Sequence, residues 1–350
     1  MNDKTVDRSW DFRQTHAVLD ARYARMEPEP ILEPDLPIID PHHHLWDRPP
    51  QRYMLDEFLA DLNTGHNILG TVFVECTAFW RASGPEEMRP VGETESMNGI
   101  AAMSASGAYG SIAVNAGIVS YADLRLGDAV EPVLEEHIAR GGGRMRGIRN
   151  RATYEPLIGE YGTLVPSKDM LTDPQFRRGM KKLAAAGLVY DSWQYHMQIP
   201  DVAELARAVP EATIVLDHVG GVIGVGPFAE RKQEVFAQWR KDMADLATCP
   251  NVFVKIGGLA MPLFGFGFNN REVPPGSEEL APAWKPFVET SIELFGADRC
   301  MFESNFPPDK QTCSYPVMWN TFKRIVADYS QAEKAALFAG TARKVYRLEI

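Results

Sequence analysis

Residues 38–47 read Ile38-Ile39-Asp40-Pro41-His42-His43-His44-Leu45-Trp46-Asp47. Two β-branched residues open a strand, and alternate side chains of a strand share a face. If the strand persists to its end, Asp40, His42 and His44 point one way and His43 the other. Two imidazoles two residues apart at a strand end are close enough to share a divalent cation. Three of the eight histidines of the chain fall in these successive positions. Pro41 breaks ladder pairing and places the stretch near a strand terminus.

Outward from this stretch, apolar strand-like runs alternate with helical ones. The runs after Ile38–His44 lie at 69–76, 111–120, 144–150, 188–196, 213–221, 251–259 and 299–307. Helical patterns sit between them, at about 55–66, 95–106, 127–140, 171–187, 199–210, 230–247 and 283–295. In the fourth of these Asp173 stands as N-cap, Pro174 takes the first helical position and Gly187 lies just past the end. Two helices near 317–329 and 332–347 close the chain. Eight strands alternating with helices predict a parallel (β/α)8 TIM barrel, of class α/β. An open doubly wound sheet is the runner-up, but no GxGxxG turn follows the first strand. Residues 1–36 carry EPEPILEPDLP and read as an extended N-terminal arm packed on the barrel or on a partner subunit; residues 37–350 are the barrel domain.

The chain has 350 residues, 45% apolar and 24% charged, with formal net charge −11. That balance argues against nucleic acid or an anionic membrane as partner, and leaves room for a small anionic substrate in a locally basic pocket. Cys76, Cys249, Cys300 and Cys313 show no metal spacing and read as reduced thiols. With no secretory h-region and no bilayer-length apolar run, the expected location is the cytoplasm.

In a barrel the C-terminal strand ends share one mouth, where chemistry collects. Those ends carry His42 and His44, Glu75, Arg149, Asp191 and His196, His218, Lys255, and Glu303, Asn305 and Asp309. Arg149 either forks onto a substrate carboxylate or pairs with Glu75. Lys255 reads as capping a structural pair. The loops holding Trp80 and Phe264, Phe266 and Phe268 read as lids, with Gly265 and Gly267 supplying mobility.

Three motifs in order, DPHHHLWD, LDHVGG and RCMFESNFP, resemble the amidohydrolase superfamily, in the branch containing sugar-lactone and pyrone-dicarboxylate lactonases. The resemblance covers about residues 36–350. It implies a TIM barrel that hydrolyses a carbonyl compound with a metal-activated or acid–base-activated water. Position by position, His42 and His44 match the HxH of the first strand, His218 the histidine after the sixth and His196 one after the fifth. Asn305 stands where many relatives have aspartate; an amide orients water but cannot take its proton, so Asp309 is a candidate to share the role. Glu303, His196 and His218 are the other candidate bases. No bridging lysine or glutamate is evident on the fourth strand, which carries Arg149. The resemblance therefore implies one divalent metal, zinc or manganese, on His42, His44 and His218, or none, with the same histidines forming an oxyanion site.

The expected function is hydrolysis of a lactone or similar cyclic ester of an anionic or hydroxylated small molecule. Decarboxylation, C–C bond hydrolysis or lactone isomerisation on the same scaffold is the alternative, and a non-catalytic binding barrel a further one. A homo-oligomer would suit this size and its N-terminal arm.

Overall fold

The computed structural model describes residues 16–48, 51–156, 158 and 168–350. Eight parallel strands form one sheet in sequence order: β1 Ile38–His43, β2 Ile68–Val74, β3 Ala113–Ser120, β4 Met145–Arg151, β5 Val189–Trp193, β6 Ile214–Leu216, β7 Val252–Ile256 and β8 Cys300–Phe302. The sheet curls round until β8 meets β1. There His44 N donates to Phe306 O at 2.8 Å and Asn305 N to His42 O at 2.9 Å. The result is the TIM barrel expected from the alternation of strands and helices.

The helices follow the strands in turn: α1 Leu55–Leu62, α2 Val91–Ala105, α3 Glu131–Arg140, α4 Pro174–Ala185, α5 Ile199–Ala208, α6 Lys232–Ala247, α7 Ser277–Phe295 and α8 Tyr315–Ile325. Their inward faces bury Trp239, Trp284 and Trp319 in the layer between helices and strands. Burying a large apolar side chain of this kind contributes about 1.5–3 kcal/mol. The α4 boundaries are those expected: the Asp173 carboxylate accepts from Gln175 N at 2.7 Å, and Gly187 has φ +69°. The helix expected from Gly127 begins later, because Gly127 sits at φ +59° and breaks the 3₁₀ segment Leu124–Val130 that precedes α3, which starts with Pro132 in its first turn.

The barrel interior is apolar at its floor. Ile39, Val72, Val74, Val119, Val189, Val215 and Met301 pack there against Ala342, Val345, Tyr346 and Leu348 of the C-terminal segment. That segment runs helically over 331–345 with a π turn at Ala336–Gly340, and plugs the end of the barrel away from the mouth.

Strand β1 does not keep the simple alternation. Asp40 pairs with Thr71 and His43 with Phe73, so three steps along β1 match two along β2. This is a bulge at Pro41 and His42, and a bulge re-aims the side chains beyond it. Asp40 consequently points outward, accepting from Ser304 N and from Tyr315 OH on α8, both at 3.0 Å, while His42 points into the barrel. The expectation that Asp40 and His42 share a face is thus corrected.

The N-terminal arm, expected to be extended, includes a helix over His16–Tyr23; residues 1–15 lie outside the described part. Its Glu29 carboxylate accepts from Ser277 N at 2.6 Å at the start of α7, and Lys323 of α8 donates to Leu32 O at 2.8 Å. The described part of the arm therefore packs on its own barrel. All four cysteines are buried free thiols. Among the described residues no helix is long and apolar enough to cross a membrane.

Candidate active site

The polar residues of the site come from seven of the eight strands and converge inside the mouth. From β1 and its end come His42 and His44; Glu75 follows β2. Arg149 and Arg151 end β4, Asp191 lies on β5, Asp217 and His218 follow β6, Lys255 lies on β7 and Glu303 follows β8. All but Arg151 are buried.

Hydrogen bonds fix the tautomers of two histidines. The His44 Nδ1 atom lies 2.7 Å from the carbonyl of Val74, and His218 Nδ1 lies 2.7 Å from Glu303 Oε1. A carbonyl and an ionised carboxylate only accept, so each of these Nδ1 atoms carries a proton and donates it. In a neutral ring the lone pair then stands on Nε2. His42 Nδ1 lies 2.9 Å from Glu303 Oε2 but also 3.2 Å from the Lys255 ammonium, and its Nε2 lies 3.2 Å from Arg149 Nη1. His42 and His44 are neutral: burial drives both well below the usual histidine value, helped by Lys255 beside His42 and Arg149 beside His44. Burial alone would raise Glu303, but His218 and His42 override it and hold the carboxyl at about 2. The rings cluster, with centroids 5.0 Å apart for His42 and His44 and 4.5 Å for His42 and His218. Trp193 stands edge-on to His218 at 4.7 Å and Trp46 stacks on His44 at 6.0 Å.

Backbone strain marks the same place. His218, Val219 and Asn305 adopt φ of 54°, 47° and 51°, a region that costs non-glycine residues energy and collects at functional sites. Gly258 at φ +64° lets the chain pass His218; a Cβ there would lie 2.7 Å from the imidazole.

Beneath the histidines runs a buried ion network. Lys255 Nζ donates to Asp191 Oδ2 at 2.6 Å, with Asp217 Oδ1 at 3.3 Å and His42 Nδ1 at 3.2 Å. Tyr346 OH reaches both Asp191 oxygens, at 3.0 and 2.9 Å. On the other side Arg149 Nε donates to Glu75 Oε1 at 2.9 Å, while its Nη1 lies 3.2 Å from His42 Nε2 and 3.6 Å from Asp217 Oδ2. Arg151 shares Glu75, donating from Nη2 to Oε2 at 3.2 Å. The touching groups comprise three Lys and Arg cations (Arg149, Arg151, Lys255) and four carboxylates (Glu75, Asp191, Asp217, Glu303), with His42 and His218 set against Glu303.

The donor set fits a divalent ion. His42, His218 and Glu303 each offer a ligand atom, all within 4.8 Å of one another. Glu303 Oε1 already receives the His218 N–H, while Oε2 accepts no well-formed hydrogen bond. Through Oε1 Glu303 suits the outer role, in which a carboxylate orients a metal-binding histidine and raises its basicity. His44 stands outside the 4.8 Å group, but its pinned Nδ1 leaves the lone pair on Nε2. The Asp217 oxygens accept no well-formed hydrogen bond.

The remaining sequence candidates lie as follows. Arg149 spends its fork on Glu75 and His42, inside the protein. His196 Nδ1 accepts from Ile223 N at 3.3 Å, and burial holds the ring at about 4. It is neutral, with its proton on Nε2: a hydrogen-bond donor rather than a base. Asn305 Nδ2 donates to Asp309 Oδ1 at 2.7 Å, and Asp309 Oδ2 accepts from Ala260 N at 3.1 Å. Burial raises Asp309 well above the usual carboxylate value, and with both oxygens accepting it is a strut between two loops. His43 stacks on Phe58 at 4.1 Å in the outer layer. Tyr346 carries no functional signal in the sequence, and Lys255 touches the site rather than merely capping a remote pair.

The glycines of the loop after β7 act differently from the mobility expected of them. A Cβ on Gly265 would lie 2.0 Å from Gly224 O, and one on Gly224 would lie 2.1 Å from Phe264 O. These glycines lock the loops after β6 and β7 together.

The sequence matches the family model described as amidohydrolase over residues 39–348. The chain belongs to the amidohydrolase family. Among amidohydrolase relatives, the uncharacterised protein y4mH of Sinorhizobium fredii is 34% identical over 336 residues, covering 90% of this chain and 99% of y4mH. The L-fucono-1,5-lactonase of Burkholderia multivorans is 28% identical over 236 residues, 67% of this chain and 72% of the lactonase. A crystal structure of a B. multivorans amidohydrolase with bound zinc superposes with a TM-score of 0.66 at 24% identity, covering 89% of this chain and 99% of that one.

Proposed function

We propose that this amidohydrolase opens a lactone or similar cyclic ester of a small carboxylated or hydroxylated molecule, using one divalent ion held by His42, His44 and His218. The observation that carries the reading is the gathering of His42, His218 and Glu303 ligand atoms within 4.8 Å of one another inside the mouth. The Nδ1 atoms of His44 and His218, held by acceptors, support it, as do the fuconolactonase and zinc-bound relatives. A zinc or manganese ion would supply Lewis acidity and bring the pKa of a bound water from 15.7 towards about 7.

The chain's own groups do the rest. Glu303 holds His218 in one tautomer. His196 Nε2–H donates to an oxygen of the substrate at the mouth. Asn305, with its amide nitrogen held by Asp309, keeps its carbonyl oxygen to orient a water. Arg151 shares one carboxylate with Arg149 and is the more exposed of the two, at 13% against 5% of the side chain. It is the group to receive a substrate carboxylate. Both Asp309 oxygens are engaged, by Asn305 and by Ala260 N, which suits water whose acidity comes from an ion.

The test pairs elemental analysis with a pH-indicator assay on a panel of sugar lactones. Wild type should hold about one zinc or manganese per chain, His44→Ala should lose it, and lactone opening should release acid. Turnover without acid release would shift the reading to isomerisation or decarboxylation, which the amide at Asn305 favours.

A further inference from the structure

We propose that a cavity at the closed end of the barrel, walled by Arg144 and Arg146, binds a small phosphate monoester. It is separate from the site at the mouth and shares no residue with it.

The cavity has a volume of about 490 Å³, within the range of small-molecule sites. It lies where the loops before β3 and β4 enter the sheet, and Glu349 and Ile350 of the C-terminal segment close one side. That segment plugs the end away from the mouth, so an occupant does not meet the histidines.

Both strands that enter the cavity are irregular. Gly70 and Val72 of β2 pair with Ala113 and Gly117 of β3, so two steps along β2 face four along β3. Within that excess Asn115 sits at φ +55°. Ile118 and Val119 of β3 pair with Met145 and Gly147 of β4, which makes Arg146 an extra residue. Bulges re-aim side chains and gather at barrel rims and next to sites, and strained non-glycine backbone gathers at ligand clamps. Gly117 makes room for the Arg146 stem, since a Cβ there would lie 3.1 Å from Arg146 Cγ.

The two arginines are held but not neutralised. Arg146 Nη1 donates to Gly143 O at 2.8 Å and Met145 O at 2.9 Å, and Arg144 Nη1 donates to Asn98 Oδ1 at 2.8 Å. Among the described residues neither makes an ion pair, nor does Arg347 beside them, in a chain whose formal net charge is −11. Burial pushes Arg146 below its ordinary value; Arg347 and Arg144 add to that push, and Glu349 at the rim opposes it. Each guanidinium offers a planar fork. One carboxylate is filled by one fork, whereas a phosphate monoester carries up to two charges on three oxygens and can take both. Ala101, Ile112 and Val114 on the wall leave apolar space for the carbon part of the ester.

The test titrates the full chain by calorimetry with phenyl phosphate, with benzoate as the single-carboxylate control. Wild type should bind phenyl phosphate at a saturable site, and benzoate about tenfold more weakly or worse. Arg146→Gln should weaken phenyl phosphate about tenfold or more. Ser111→Glu, which sets a carboxylate on an exposed residue of the wall, should do the same and serves if Arg146→Gln does not fold. His44→Ala should keep the site, because the anion does not sit on an ion at the mouth. The proposal is overturned if there is no saturable binding, if neither cavity variant weakens it, if His44→Ala abolishes it, or if benzoate binds as tightly. None of these readouts depends on metal content, so a metal-free wild type would sink the reading of the mouth and leave this one standing.

Discussion

A carboxylate oxygen can only accept, and Glu303 Oε1 accepts from His218 Nδ1. Glu303→Gln keeps the shape but can offer an amide nitrogen to that ring, which must then change tautomer or turn. Metal affinity should fall about 10–100-fold, the usual cost of losing such a partner, as read by competition with a chromophoric chelator. Unchanged affinity would mean that Glu303 does not orient the ring. Gly258→Ala tests the same ring from behind, since its Cβ would press on His218. That variant should fold less stably and lose metal, while a substitution at Gly267, with nothing within 4 Å, should leave metal binding unchanged. His42, His44 and His218 were legible in the sequence because each sits in a short motif at a strand end. The roles of Lys255 and Tyr346 were not, because their partners lie 64 and 155 residues away and no local spacing encodes such contacts. Asp309 was legible as a position but not as a role, since its partners, Asn305 and Ala260, belong to two loops brought together only by the fold.

Helices and loops show the same division. The start of α4 was written in adjacent residues, Asp173 then Pro174, and local chemistry decided it. Asp173→Ala should cost about 1 kcal/mol, measured as a lowered denaturation midpoint with no change in metal content. The bulge in β1 was hidden, because alternation is the default pattern and only pairing with β2 reveals the extra residue. The locked loops after β6 and β7 were hidden for a related reason: a glycine allows either motion or close approach, and the neighbouring chain decides which. Gly265→Ala, strained at φ +71° and abutting Gly224 O, should part the two loops and speed proteolytic cleavage between 257 and 276. Cleavage at the wild-type rate would show that the loops separate freely already.

The whole molecule stores an imbalance of protons. Burial holds His43 at about 3 and His66, His137 and His196 at about 4, and drives His42 and His44 well down. Stability from such neutral histidines is present above their unfolded value near 6.5 and is lost as pH falls below it. Burial also raises Asp40 and Asp191 to about 6, Glu93 to about 7 and Asp309 well above its usual value. These act oppositely, their contribution being lost as pH rises through their folded values. The lowered histidines outnumber the raised carboxyls, and Glu303, held at about 2, acts with the histidines. Stability should therefore fall as the solution is acidified from pH 6 to 5, seen by calorimetry as a falling melting temperature. A flat profile would refute the balance. The (β/α)8 architecture itself was legible throughout, because alternating strands and helices have few ways to close.

The seam between β1 and β8 and the C-terminal plug carry a consequence for synthesis. On the ribosome His42 emerges early, whereas Glu303, which it faces, and Tyr346, which bonds Asp191, are made much later. Until then the bulged strand has no neighbour on its open edge, and Asp191 lacks the tyrosine that orients it. The centre can therefore be completed only when Tyr346 has left the exit tunnel, and a nascent chain stalled with Tyr346 still inside it should carry a nearly finished barrel without a finished site.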